Sequence, residues 1–197
     1  MRLVLASASA TRARVLRGAG VAFEQHASSI EEDGIKREAR AAGQSPEAAA
    51  SALAHAKAAH VAVTMPDVLV IGADQILACG DAWFDKPPDL AAARAQLQTL
   101  RGQVHGLATA VVCHAGGKAV WQHVETPRLA MREFSDVFLD RYLAAEGAAV
   151  LSSVGAYRLE GMGAQLFARI EGDYFSVLGL PLLPLLGFLR DRGVMGD

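Results

Sequence analysis

A few short stretches carry residue types that could handle a phosphorylated ligand. In "SASATRAR", residues 7–14, Ser7, Ser9 and Thr11 offer hydroxyls, while Arg12 and Arg14 offer charge, directly after the apolar run "LVLA". A strand that stops in small hydroxyl residues and opens a helix leaves backbone N–H groups free, and such a turn can hold phosphate. An ordinary helix cap beside a solvated basic face is the competing reading. "GADQIL", residues 72–77, ends the apolar run of residues 68–73 in a carboxylate, Asp74. If that run is a buried strand, Asp74 lies at its C-terminal end, where open α/β sheets place their ligand crevice. Gly72 lets another group approach the backbone closely. The alternative is a partly buried aspartate that caps a neighbouring turn.

Other charges look ordinary when taken singly. "SSIEEDG" gathers Glu31, Glu32 and Asp33 in a loop, and "LAHAKAA" puts Lys57 in mid-helix. In "FDKPPD" two prolines follow Lys86 and stiffen the backbone, so its ammonium can be aimed. Residues 155–181 alternate five glycines with aromatic residues and with Glu160, Glu171 and Asp173. That suggests tight backbone around a pocket, with packing alone as the other reading. His55 and His60, five apart, share a helix face poorly and argue against a histidine metal site. The usual NTPase loop and the glycine fingerprint of dinucleotide sites are both absent.

Elements that would position these residues follow from periodicity and caps. "RLVLAS" and "TRARVLRGAG" read as strand, loop and helix. Residues 24–44 are polar, with no sustained period. "SPEAAASALAHAKAAHVAV" offers Ser45 as N-cap and Pro46 at the first helical position. "DVLVIGADQILACG" reads as a strand pair or one bent strand, and "PDLAAARAQLQTLRG" as a helix capped by Asp89 and stopped at Gly102. "HGLATAVVCHAGG" and "KAVWQHVETPRLAMREF" form two long strands turning at Gly116-Gly117. "SDVFLDRYLAAEG" and "PLLPLLGFLRDRG" supply two more helices. The pattern is mixed α/β, with no repeat and no linker, and one folded domain is expected over residues 1–197.

Composition narrows the function classes. The chain has 197 residues, 52% hydrophobic and 20% charged, which fits a globular protein with a real core. A formal net charge of -2 gives no general pull toward nucleic acid or membrane, so an anion site must be built locally. Cys79 and Cys113 lack metal spacing. They read as two free thiols in a reducing cytoplasm, although a disulfide stays open. The N-terminal apolar run is too short for a signal segment, and "FSVLGLPLLPLLGFL" is too short and proline-broken to span a bilayer, so a cytoplasmic protein is expected.

Read together, "SASATR", "EE", "LAHAKA", "GAD", "DKP", "GAY" and "VLGLP" stand in the order of the Maf family of nucleoside triphosphate pyrophosphatases, and the chain resembles that family over nearly its whole length. The resemblance implies an elongated, inosine-triphosphatase-like fold with a central mixed sheet and a deep cleft between two lobes. It also implies hydrolysis of a nucleotide to its monophosphate and pyrophosphate, and a homodimer. Under it, Arg12, Lys57 and Lys86 offset the triphosphate, while Ser7 and Ser9 cradle its oxygens. Glu32 and Asp74 become ligands for Mg²⁺ or Mn²⁺, with Asp74 the general base toward the attacking water.

Three positions bear on the base. One subgroup, acting on dTTP and UTP, has Arg, Thr and Gln where this chain has Thr11, Gln75 and Glu160. A second subgroup, acting on 7-methyl-GTP, has Gln and Glu at the latter two, so a 7-methyl-GTP-like substrate is expected. A carboxylate at Glu160 accepts from guanine N1–H and the 2-amino group. The family's opening proline is replaced by Ala10, which loosens the turn without removing a donor. Family members are also linked to septum formation, so a nucleotide-binding regulator of cell division without catalysis is the reading from another class.

Overall fold

A computed structural model of the chain describes residues 2–196; Met1 and Asp197, the ends of the expected domain, lie outside the described residues. In chain order the elements are β1 (Leu3–Leu5), α1 (Ala10–Gly18), β2 (Glu24–Gln25), α2 (Glu32–Ala41), α3 (Pro46–Ala62), β3 (Leu69–Cys79), β4 (Ala82–Phe84), α4 (Leu90–Leu100), β5 (Val104–Ala115), β6 (Lys118–Glu125), β7 (Arg128–Met131), α5 (Asp136–Glu146), β8 (Phe167–Glu171), α6 (Tyr174–Val177) and α7 (Leu182–Asp191), with three short 3-10 turns between α5 and β8. The strands follow the order β2-β1-β3-β5-β7-β8, with β4 on β3 and β6 on β5. Parallel pairs of β1 with β2 and β3 coexist with antiparallel hairpins, which makes the mixed α/β sheet that the sequence pattern implies.

The chain divides into two compact units. The first holds the described residues through Gln75, Ala108–Thr126, and the chain from Asp173 onward. Its core shows why "LVLA" and "VLVIGA" are continuous apolar runs. Leu3, Leu5, Leu69 and Ile71 pack with Leu16 of α1 and Leu185 and Leu189 of α7. Val4, Ala6, Val68 and Val70 turn the other way, onto Ala58, Val61 and Ala62 of α3. Successive side chains of a strand point to opposite faces, so a sheet covered on both faces needs apolar residues at every position. The caps read from sequence are present: Ser45 Oγ accepts the Ala48 N–H at 3.2 Å, with Pro46 opening α3.

The second unit comprises Ile76–Leu107 and Pro127–Gly172. Asp89 Oδ1 caps α4 through the Ala92 N–H at 2.7 Å, and Ser135 Oγ caps α5 through the Phe138 N–H. Tyr142, fully buried, donates its hydroxyl to the Ala156 carbonyl at 3.1 Å. His105 is buried against Tyr157, with Nε2 2.9 Å from the phenol oxygen, and its Nδ1 has no hydrogen-bond partner among the described residues.

Burial lowers the His105 pKa to about 4 from the usual 6.5. Between those values the unfolded chain binds a proton that the folded chain refuses, so stability is whole above pH 6.5 and falls as pH drops toward 4. The expected loss is about 3 kcal/mol at most. Urea unfolding at pH 7 and pH 4.5 checks this: His105→Gln should flatten the difference, and an unchanged pH slope in the variant would assign the loss elsewhere.

Five sequence expectations are corrected. Residues 24–44 hold the short strand β2 and the ten-residue helix α2. Glu32 and Asp33 form the first turn of α2 rather than a loop, where carboxylates complement the helix dipole. β3 runs on to Cys79, which places Asp74 in mid-strand. β1, however, pairs only as far as Ile71, so Asp74 still lies beyond the C-terminal end of its parallel neighbour. The segment 118–134 is two strands, β6 and β7, because Pro127 has no N–H to donate and breaks the ladder. Finally, the glycine-rich stretch contains β8, paired with β7. Cys79 and Cys113 are free thiols, and no described helix is long and apolar enough to cross a membrane.

Candidate active site

β1 delivers the chain into the hydroxyl turn. Ala6 N–H still bonds the Ile71 carbonyl at 2.7 Å, after which Ser7 leaves the sheet, buried. Ser7 Oγ accepts the Ser9 N–H at 3.2 Å, and Ser9 Oγ accepts the Arg12 N–H at 3.3 Å as the N-cap of α1. Arg12, in the first turn, folds back over this loop. Its Nε donates to the Gly179 carbonyl at 2.8 Å and its Nη1 to Ser7 Oγ at 3.1 Å. Burial pulls the Arg12 pKa below its ordinary value, and the negative charges of Asp74 and then Glu32 oppose that shift. Both carboxylates are therefore close enough to feel the guanidinium. Thr11 precedes Arg12 on α1, half-buried.

The central group is an ion cluster around a buried Lys57–Asp74 pair. Lys57 Nζ meets Asp74 Oδ1 in a close ion pair and Glu32 Oε1 at 2.9 Å. Lys57 and Asp74 are only 6% and 5% exposed, so each needs an opposite charge close by. Gly72 makes the meeting possible. A Cβ there would sit 2.1 Å from the Ala54 carbonyl oxygen and 2.9 Å from Ala58 Cβ, both on α3. The alanine-rich face of α3 lies directly on the bare glycine, which brings Lys57 down to the carboxylate two residues further along β3.

Gln75, the next residue, contacts a different set of elements. Its Nε2 donates to Thr109 Oγ1 of β5 at 2.8 Å and to the carbonyls of Ser176 and Val177 in α6 at 2.9 and 3.3 Å. Ser7, Ser9, Thr11, Arg12, Glu32, Lys57, Asp74 and Gln75 thus all belong to the first unit. Lys86 and Glu160 belong to the second. Lys86 follows Asp85, whose carbonyl accepts Gln96 Nε2 at 2.8 Å, and precedes the buried Pro87. Glu160 Oε1 lies 4.0 Å from Arg158 Nη2, and Arg158 also pairs with Glu146 at 3.0 Å.

Sequence reasoning missed Thr109, Ser176 and Glu125. Ser176 is fully buried and donates its hydroxyl to Glu125 Oε2 at 2.7 Å. Thr109 Oγ1 donates to the Ser176 carbonyl at 3.0 Å. The one signal for Thr109 was a hydroxyl amid the apolar run of β5. A serine in the four-residue helix α6 and a glutamate at a strand end carry none.

Glu32 and Asp74 share one ammonium, so their oxygens converge on a single point. Two carboxylates with the remaining positions left to phosphate oxygens and water is a donor set that suits Mg²⁺ or Mn²⁺. The described residues hold no cluster of three His, Cys, Asp or Glu groups placed to hold a metal ion.

Residues 2–192 match the family model described as Maf-like protein. The chain belongs to that family. Among curated Maf-related proteins, the nucleoside triphosphate pyrophosphatase of Granulibacter bethesdensis is 58% identical over 192 residues, 98% of each chain. That of Paramagnetospirillum magneticum is 50% identical over 96% of this chain and 98% of its own. The 7-methyl-GTP pyrophosphatase of Rhizobium meliloti is 48% identical over 98% of this chain and 97% of its own. The Maf match spans both compact units, so the ordered motifs and the fold describe one family member.

Proposed function

We propose that this Maf protein is a nucleoside triphosphate pyrophosphatase, a hydrolase of acid anhydrides that releases the nucleoside monophosphate and pyrophosphate. The observation that carries the reading is the cluster of the buried Lys57 and Asp74 with the half-exposed Glu32, beside Arg12 and its serine turn. Those four charged groups balance, so the extra negative charge of a triphosphate, about four units, needs further cations. Lys86 and a divalent ion, which Glu32 and Asp74 would hold, would supply them. The ion would neutralise phosphate oxygens and acidify a bound water.

The chain's own residues do the rest. Arg12, Ser7 and Ser9 hold phosphate oxygens with donors fixed before substrate arrives, so little reorganisation is needed during reaction. Lys57 fixes one oxygen of Asp74, which leaves Oδ2 to take the proton of the water attacking the α-phosphorus. Lys57 and Lys86 stabilise charge on the pyrophosphate as it leaves.

The substrate we propose is 7-methyl-GTP-like. The 7-methylguanine ring is cationic, and Glu160 offers a carboxylate that accepts N1–H and 2-amino donors with charge assistance. The 48% identical relative named for 7-methyl-GTP points the same way. The test is pyrophosphate release from 7-methyl-GTP, GTP, UTP, dTTP and CTP with Mg²⁺ and then Mn²⁺. Selectivity for 7-methyl-GTP is expected, and Glu160→Gln should lower the 7-methyl-GTP to UTP ratio about tenfold. Preference for dTTP or UTP would keep the reaction and overturn the assignment of substrate. Binding without release would favour a regulator.

A further inference from the structure

Glu146 is the last residue of α5, where the unsatisfied carbonyls of the helix repel a carboxylate. Its side chain is nevertheless only 9% exposed, and two partners offset that placement. Oε2 accepts from Arg158 Nη1 at 3.0 Å, and Oε1 accepts the Met162 N–H at 2.7 Å. One carboxylate therefore grips both ends of the segment 158–162, which carries Glu160 in its middle.

That segment is a closed turn. The Gly161 N–H donates to the Arg158 carbonyl at 3.2 Å, and the Ala164 N–H donates to the Gly161 carbonyl at 3.2 Å. A Cβ on Gly161 would stand 2.4 Å from Glu146 Oε1, and one on Gly163 would stand 2.4 Å from the Arg158 carbonyl oxygen. The glycines of "RLEGMG" are thus bare where the carboxylate and the turn close on them. Tyr142, about one helical turn before Glu146, holds the chain entering this segment through the Ala156 carbonyl at 3.1 Å.

Arg158 is shared between two carboxylates. Its Nη2 lies 4.0 Å from Glu160 Oε1, against the 3.0 Å that separates Nη1 from Glu146. The guanidinium is engaged first by the more enclosed carboxylate, and Glu160 receives looser compensation. Together, two carboxylates and one guanidinium leave one net negative charge on the trio.

We propose that Glu146 and Arg158 are positioning residues for base recognition: Glu146 fixes the turn that presents Glu160 and draws Arg158 away from it, so the subsite keeps one net negative charge for a cationic base. The proposal rests on the reading of Glu160 as the group that meets the base.

Nucleoside monophosphates carry a base without an anhydride, so 7-methyl-GMP and GMP read the subsite whether or not the chain hydrolyses triphosphates. They share the N1–H and 2-amino donors and differ in the charge of the methylated ring. Calorimetry gives the ratio of their dissociation constants. Glu146→Gln keeps an acceptor for the Met162 N–H but brings the trio to zero charge, and the preference for 7-methyl-GMP should fall about threefold. Arg158→Gln takes the trio to two negative charges and should raise the preference about threefold. The double variant returns the trio to one negative charge and should restore the natural preference, which a loosened turn would not do. Affinity for inorganic triphosphate, which has no base, should stay within about twofold throughout. A shift of both single variants in the same direction, additive losses in the double variant, or an unchanged preference in Glu146→Gln would each overturn the proposal. Glu160→Gln separates the two readings. An unchanged preference there removes Glu160 from the base and overturns both, whereas a shift there with none in Glu146→Gln keeps the base contact and overturns only the role of Glu146 and Arg158.

Discussion

Asp74→Asn is expected to lower pyrophosphate release by about 10²–10⁴-fold while nucleotide still binds. The substitution keeps the shape of the side chain and its place on β3, but an amide cannot take a proton from water. Lys57 keeps Glu32 at 2.9 Å, so the buried ammonium is not left alone. That limits the destabilisation, which would otherwise reach about 3–5 kcal/mol for a buried charge stripped of its partner. Single-turnover release, calorimetric nucleotide affinity and thermal unfolding together isolate the chemical step. Unaltered turnover would remove Asp74 from the mechanism. Loss of affinity equal to the loss of rate would make it a binding group only.

Asp74→Glu adds a second constraint. It retains a base, but it lengthens a side chain that is 5% exposed and already clamped by Lys57. A displacement of about 1 Å at a reacting group can cost about 10²-fold. The glutamate should therefore recover part of the activity at most, with a pH profile of the same form as the natural chain.

Much of this architecture was legible because it is local. Ser45 and Pro46, Asp89, and Ser135 announce helix starts through side chains that meet N–H groups three residues away. The apolar runs of β1 and β3 announce strands covered on both faces. Helix α2 was obscured because "EDGIKREARA" has few apolar residues and buries only Gly34 and Ala39. Its formation rests on strong helix formers and two acidic residues in the first turn, a weaker signal than periodicity. The pairing of Lys57 with Asp74 lies beyond any spacing rule, since seventeen residues and a helix-to-strand crossing separate them. The order of motifs suggested it, but only packing explains it. Gln75 and Asp74 show the converse: adjacency in sequence means opposite faces in a strand, so the two side chains meet different elements.

Gly72→Ala should test how far that packing controls the chemistry. One methyl group is added, yet it would fall 2.1 Å from the Ala54 carbonyl oxygen and 2.9 Å from the Ala58 nitrogen. These are backbone atoms of a seventeen-residue helix, so no side chain can swing aside and α3 itself must move off the sheet. Overpacking of this kind costs about 1–3 kcal/mol, expected as a lowered urea midpoint with an unchanged slope. Lys57 lies between Ala54 and Ala58 on that helix, so the displacement that relieves the clash also withdraws the ammonium from Asp74. Activity per folded molecule should consequently fall about 10²-fold, a larger effect than the loss of stability alone produces. A variant that melts earlier but hydrolyses at the natural rate at low temperature would show that the cluster tolerates the shift. It would reduce Gly72 to a packing residue. The expected coupled loss would instead make the bare glycine the point at which the fold of β3 and α3 sets the distance between base and ammonium.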